Sequence, residues 1–125
     1  QLGLIPGDGG AWFLPRAVGF SNASLMALTG DPVKADEALR IGLVSKVVEA
    51  EELVATAQAI AARIAGNPPH AVRLTKQLLR GSERNSLDEM LDKSAAFQAI
   101  CHAEPDHHEA IAAFFDKRPG AYRKD

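Results

Sequence analysis

The chain has 125 residues, enough for one domain with a core, since a chain of this size buries roughly two-thirds of its unfolded surface. Its 14 Lys and Arg against 16 Asp and Glu leave a net charge of −2, which gives no electrostatic case for a nucleic-acid or anionic-membrane partner. Cys101 is the only cysteine, so an internal disulfide is excluded and a reducing compartment, the cytoplasm first, fits best.

Gln1 rather than Met opens the chain, directly on an apolar segment with no turn or cap ahead of it, as expected of a C-terminal fragment. Residues 2–5 are short, apolar and broken by Gly3, and read as the end of a buried strand feeding a turn at Pro6-Gly7-Asp8-Gly9. A backbone this rich in Gly bends tightly or approaches something closely. Its free N–H groups at a helix start can receive a carbonyl oxygen or an anion. Residues 10–18 are predicted helical, with Pro15 either starting a second turn or kinking the segment. Ser21 is placed to cap a helix over 22–28, and Gly30 to end it in a left-handed cap.

Residues 35–41 form a short predicted helix stopped by Gly42, and the β-branched run 43–48 is the clearest predicted strand. Over 51–65, Leu53, Ala57, Ile60 and Ile64 fall on one helical face, and Gly66-Asn67-Pro68-Pro69 stops it. A helix over 71–80 carries Leu74 and Leu78 and ends at Gly81. Ser86 and Glu89 have capping-box spacing and open a helix reaching His102. Its stripe of Leu87, Met90, Leu91, Phe97, Ile100 and Cys101 is wide enough to need partners on more than one side. Pro105 begins a last helix with Ile111, Phe114 and Phe115, ended by Pro119-Gly120, and the polar tail 121–125 is expected to be loose. No apolar run approaches the roughly 20 residues that cross a bilayer.

Several chemistries fail on spacing. The turn Gly7-Asp8-Gly9-Gly10-Ala11-Trp12 puts Trp where a dinucleotide fingerprint needs its third Gly, and no Gly-Lys-Ser/Thr of a phosphate loop follows. His70, His102, His107 and His108 include no pair at the i,i+4 spacing of helical zinc sites, so no metal is expected. No G-x-S-x-G elbow supplies a nucleophile, and Cys101 on an apolar face reads as core. Two possibilities survive. The apolar neighbours Ile5, Pro6 and Trp12 suit a ligand wall, against a purely structural strand-to-helix turn. Asp8 is then a candidate general acid or base, against the commoner role of capping the following N–H groups. At the other end, Phe114-Phe115-Asp116-Lys117-Arg118 pairs aromatics with cations that can stack on a base and hold a phosphate, against core Phe plus cations at a helix C-terminus.

Five blocks carry a family resemblance: Leu2 to Gly10, Leu14-Pro-Arg-Ala-Val-Gly19, Ala27-Leu-Thr-Gly30, Ala35 to Val44 and Ala113-Phe-Phe-Asp-Lys-Arg118. Their order and spacing resemble the C-terminal half of a crotonase, the enoyl-CoA hydratase/isomerase family. The resemblance implies a mainly α chain with one or two short strands. Residues 1–50 would end the α/β (ββα spiral) core, and 51–125 would form the helical region for trimerisation and coenzyme A contact. It further implies an acyl-CoA substrate, no separate cofactor, no nucleic-acid or membrane partner, and a homotrimer or hexamer. Leu4, Ile5, Pro6, Gly7, Gly9 and Trp12 would line the acyl pocket, while Phe114 and Lys117 would reach the CoA adenosine, commonly in an adjoining subunit. The two N–H donors that stabilise the thioester enolate, and both hydratase glutamates, belong to segments ahead of Gln1. Typical hydratases carry Thr-Gln where this chain has Ala11-Trp12, a departure that would reshape the pocket and speaks against plain hydratase activity; isomerase members place an acidic residue near this turn, and Asp8 is the candidate for that role. The contrasting expectations are a non-catalytic oligomerisation and ligand-wall module, and a generic phosphate-binding domain.

Overall fold

The computed structural model describes residues 3–122. Among these the chain is helical, in two compact units, Gln1–Leu53 and Val54–Asp125. In the first unit, α1 (Gly10–Thr29) is two helical segments joined across Gly19, whose φ of 78° and ψ of 158° lie outside any helix. The break therefore falls at Gly19 and not at Pro15. A proline in the second turn removes one N–H, whereas a residue without Cβ enters the positive-φ region at little cost. Ser21 consequently lies inside the second segment instead of capping it. Gly30, at φ 69°, closes α1 with its N–H on the Met26 carbonyl.

α2 (Ala35–Arg40) ends as its sequence predicts. Gly42 is left-handed at φ 80°, the Leu43 N–H reaches the Ala38 carbonyl at 2.8 Å, and the Gly42 N–H reaches Leu39 at 3.2 Å. These are the two bonds of a Schellman motif. The strand predicted over 43–48 does not form: among the described residues there is no strand at all. A β-branched run becomes a strand only where a neighbouring strand takes up its N–H and C=O groups, and no such neighbour is present. The same correction applies to the buried strand end at 2–5. Leu4 and Ile5 are 81% and 86% exposed, and Leu2 lies outside the described residues.

A 3-10 turn at Ala50–Glu52 leads into α3 (Leu53–Ala65). In the second unit, α4 (Pro69–Gly81) starts two residues earlier than its apolar pattern suggested, because Pro69 takes the first helical position, where a missing N–H costs nothing. α5 (Leu87–Ala103) opens on a complete capping box, with the Glu89 N–H on Ser86 Oγ at 3.3 Å and the Ser86 N–H on Glu89 Oε2 at 2.7 Å. α4 packs on α5, and α5 on α6 (Pro105–Phe115). The core is thin: among the described residues only Val18, Ala23, Ala38, Leu74 and Ala113 are buried. The α5 stripe is open in part: Leu87 is 73% and Leu91 58% exposed, while Met90, Phe97 and Cys101 are half-buried.

Candidate functional site

The glycine-rich turn is shaped by close approach. Gly7 donates to the Ile5 carbonyl at 2.8 Å, and Gly9, left-handed at φ 92°, is the N-cap of α1, its carbonyl accepting from Trp12 at 3.0 Å and Phe13 at 2.9 Å. A Cβ on Gly9 would stand 3.0 Å from the Phe13 ring, and one on Gly10 would stand 3.0 Å from Pro6 Cβ. Glycine is thus required at Gly9 twice over, by conformation and by contact. Because Gly9 occupies the cap, no side chain caps α1 and the expected capping role of Asp8 is not realised. Asp8 instead sits exposed beside exposed Leu4, Ile5, Pro6 and Gly7.

The predicted pocket residues do not all converge. An open apolar groove of about 310 Å³ runs along α1, lined by Pro6, Gly10, Ala11, Leu14, Pro15, Phe20, Ala23, Ser24, Ala27 and Leu28. Of the predicted wall it contains Pro6 alone. Trp12 is turned elsewhere: the Arg16 guanidinium lies 3.4 Å from its ring centroid and donates to the Trp12 carbonyl at 3.0 Å, a cation–π pair one helical turn apart. The sequence signal for this groove is the stripe Phe20, Ala23, Ser24, Ala27, Leu28, whose 3- and 4-residue steps mark one helix face.

The C-terminal segment lies in the second unit. Phe114 is 78% exposed and meets Phe115 edge-on at 5.7 Å between ring centroids. α6 stops at Phe115, ahead of the predicted Pro119-Gly120, because Lys117 turns left-handed at φ 53°. The Arg118 N–H reaches Ala113 at 3.0 Å and the Lys117 N–H reaches Phe114 at 3.3 Å. This is again a Schellman closure, here without glycine, and the left-handed conformation of a residue with a Cβ costs about 1–2 kcal/mol. A carboxylate holds it. Glu109 accepts from Arg118 Nη1 at 2.6 Å, from Arg118 Nη2 at 3.0 Å and from the Ala121 N–H at 2.8 Å. The start of the tail is therefore anchored rather than loose, while 123–125 lie outside the described residues.

These bonds, the Arg118 guanidinium first and the Ala121 N–H second, pull the Glu109 carboxyl down to about 2, and raise Arg118 above its ordinary value. A depressed folded-state pKa means that the unfolded chain binds the proton more readily, so the clamp contributes fully above the ordinary value of 4.5 and is lost as pH falls toward 2. We expect the Glu109 carboxyl carbon to titrate by NMR with a midpoint near 2; a midpoint at the ordinary value would show that the clamp does not form in solution.

Elsewhere, His70 Nδ1 pairs with Glu104 Oε1 at 2.9 Å, tying the start of α4 to the α5–α6 elbow. Cys101 is half-buried beside them against a cavity of about 90 Å³. Among the described residues no group of His, Cys, Asp or Glu is arranged to hold a metal ion, and no helix is long and apolar enough to cross a membrane. The largest cleft described, about 740 Å³ between α3, α4 and Gly120 to Tyr122, contains none of the residues predicted to act in chemistry.

Residues 1–125 match the family model for enoyl-CoA hydratase/isomerase. The chain is 43% identical over 117 residues to the short-chain-enoyl-CoA hydratase of Clostridium acetobutylicum, covering 94% of this chain and 45% of that protein. It is 38% identical over 118 residues to the 1,2-epoxyphenylacetyl-CoA isomerase of Escherichia coli, with 94% and 45% covered. The crystal structure of the enoyl-CoA hydratase from Bacillus anthracis superposes with a TM-score of 0.94 at 35% identity, over 99% of this chain and 48% of that one. The chain spans just under half the length of these proteins.

Proposed function

The chain belongs to the enoyl-CoA hydratase/isomerase family, and we propose that it supplies the C-terminal part of an enzyme that hydrates or isomerises an enoyl-CoA through a stabilised thioester enolate. The observation that carries this reading is the match of the entire 125 residues to the family, with the glycine-rich turn intact at its start. In it, Leu4, Ile5, Pro6, Gly7 and Gly9 form one side of the acyl pocket, the exposure of the first four supporting a surface that receives something. Trp12 acts with Arg16 as a rigid flank of that wall. Asp8 is the proton-transferring candidate, and Phe114 with Lys117 contacts the CoA nucleotide. The acyl-CoA is substrate, and no further cofactor enters the scheme. The open α5 stripe supports assembly as a homotrimer or hexamer. A reducing compartment such as the cytoplasm suits the single half-buried thiol.

The N–H donors for the enolate are assigned to segments ahead of Gln1, and one such donor is worth roughly 3–4 kcal/mol of barrier. Crotonyl-CoA should therefore be turned over by the full-length natural protein and not by the isolated 125 residues. Turnover by the isolated residues overturns this division of labour. Stabilisation of the full-length protein by free phosphate as strongly as by CoA, in a thermal-shift comparison, overturns the acyl-CoA reading in favour of a generic phosphate binder. The second reading, a non-catalytic wall and assembly module, is favoured by the extent of open apolar surface and predicts no turnover in either form.

A further inference from the structure

Lys117 holds a left-handed conformation that its side chain disfavours, and such conformations persist where the surroundings over-determine them. Here they do. Two points just beyond Lys117, the Arg118 guanidinium and the Ala121 N–H, converge on one carboxylate eight residues before it on α6. The Arg118 contact is a two-bond fork, which fixes direction as well as distance. Among the described residues no salt bridge takes up the Lys117 ammonium group, and Phe114 presents an open ring three residues earlier. A clamp that restrains the backbone and leaves its cation and aromatic ring outward suits recognition of an anionic, ring-bearing ligand.

We propose that Glu109 is a positioning residue for the nucleotide end of an acyl-CoA: through Arg118 and Ala121 it sets the left-handed turn at Lys117, and so the placement of the Lys117 ammonium group against phosphate, beside the Phe114 ring that α6 already fixes. This rests on the reading of Phe114 and Lys117 as CoA contacts. Without the clamp, Lys117 is free to leave the left-handed conformation that its Cβ disfavours, and its side chain leaves that placement.

The test is calorimetric binding of CoA to the full-length natural protein and four variants. Lys117→Ala is expected to weaken binding roughly tenfold, the scale of one charge-assisted contact. Glu109→Gln, which leaves Lys117 and Phe114 themselves unaltered, should weaken it comparably, and Glu109→Asp should recover most of the loss. In the double variant Glu109→Gln/Lys117→Ala the loss should equal that of Lys117→Ala alone, a coupling that general destabilisation would not produce. Wild-type affinity in Glu109→Gln beside a weakened Lys117→Ala overturns the positioning role and leaves the CoA reading standing. Additive losses in the double variant do the same. Wild-type affinity in Lys117→Ala removes the CoA contact itself, and this inference with it.

Discussion

Asp8→Asn in the full-length natural protein is expected to lower kcat by roughly 10²–10⁴-fold while leaving KM within a few-fold, the pattern of a lost proton-transfer group. The expectation comes from how the turn is built. An Asp ahead of a helix ordinarily spends its carboxylate on the first N–H groups, and an Asn there would do nearly as well. In this chain Gly9 occupies the cap position at φ 92°, so the Asp8 carboxylate is left out of the helix start and Asp8 stays exposed. Asn keeps the shape and the hydrogen-bonding reach but neither takes up nor delivers a proton at neutral pH. A change in kcat of less than about twofold would rule out proton transfer by Asp8 on this scale and reduce it to a turn residue. A rise in KM with kcat untouched would make it a binding group instead.

What could be read from the sequence divides along the range of the interactions concerned. The Ser86–Glu89 box, the left-handed stops at Gly30 and Gly42 and the start of α6 at Pro105 are each decided within about four residues, and each stands where it was expected. The strand over 43–48 depended on partners elsewhere, and β-branched residues advertise only a readiness to pair. α1 breaks at Gly19 and not at Pro15, since the loss of one hydrogen bond in an early turn is milder than a backbone free to take φ 78°. At the site, the glycines and Phe114 were legible as residue types at known spacing. The Glu109 clamp was not: Arg118 lies nine residues from it, across a left-handed lysine that local rules would have assigned to glycine. Trp12 was legible as unusual, but its stacking under Arg16 was not.

The second large effect concerns the 125 residues by themselves, which are expected not to behave as a monomer. Each unit leaves large apolar side chains open by itself. Leu4, Ile5, Phe20, Leu28, Phe114 and Phe115 are each more than three-quarters exposed, and α3 and α5 add Leu53, Val54, Leu87 and Leu91 at 58% or above. Both units carry this exposure, so the covering must reach both, and the stripe on α5 exceeds what one neighbouring helix can hide. At micromolar concentration light scattering should report association of the isolated chain, and heating should give a broad, weakly cooperative transition in place of a single sharp melt. A monodisperse 13.3 kDa particle with one cooperative melt would overturn this. Such a result would mean that the chain closes its own core, and that the open apolar surface is ligand wall rather than assembly face. On the proposed function the full-length natural protein, measured the same way, should instead give a defined trimer or hexamer with a sharp melt, the proposed acyl-pocket wall and the open part of the α5 stripe both being covered there.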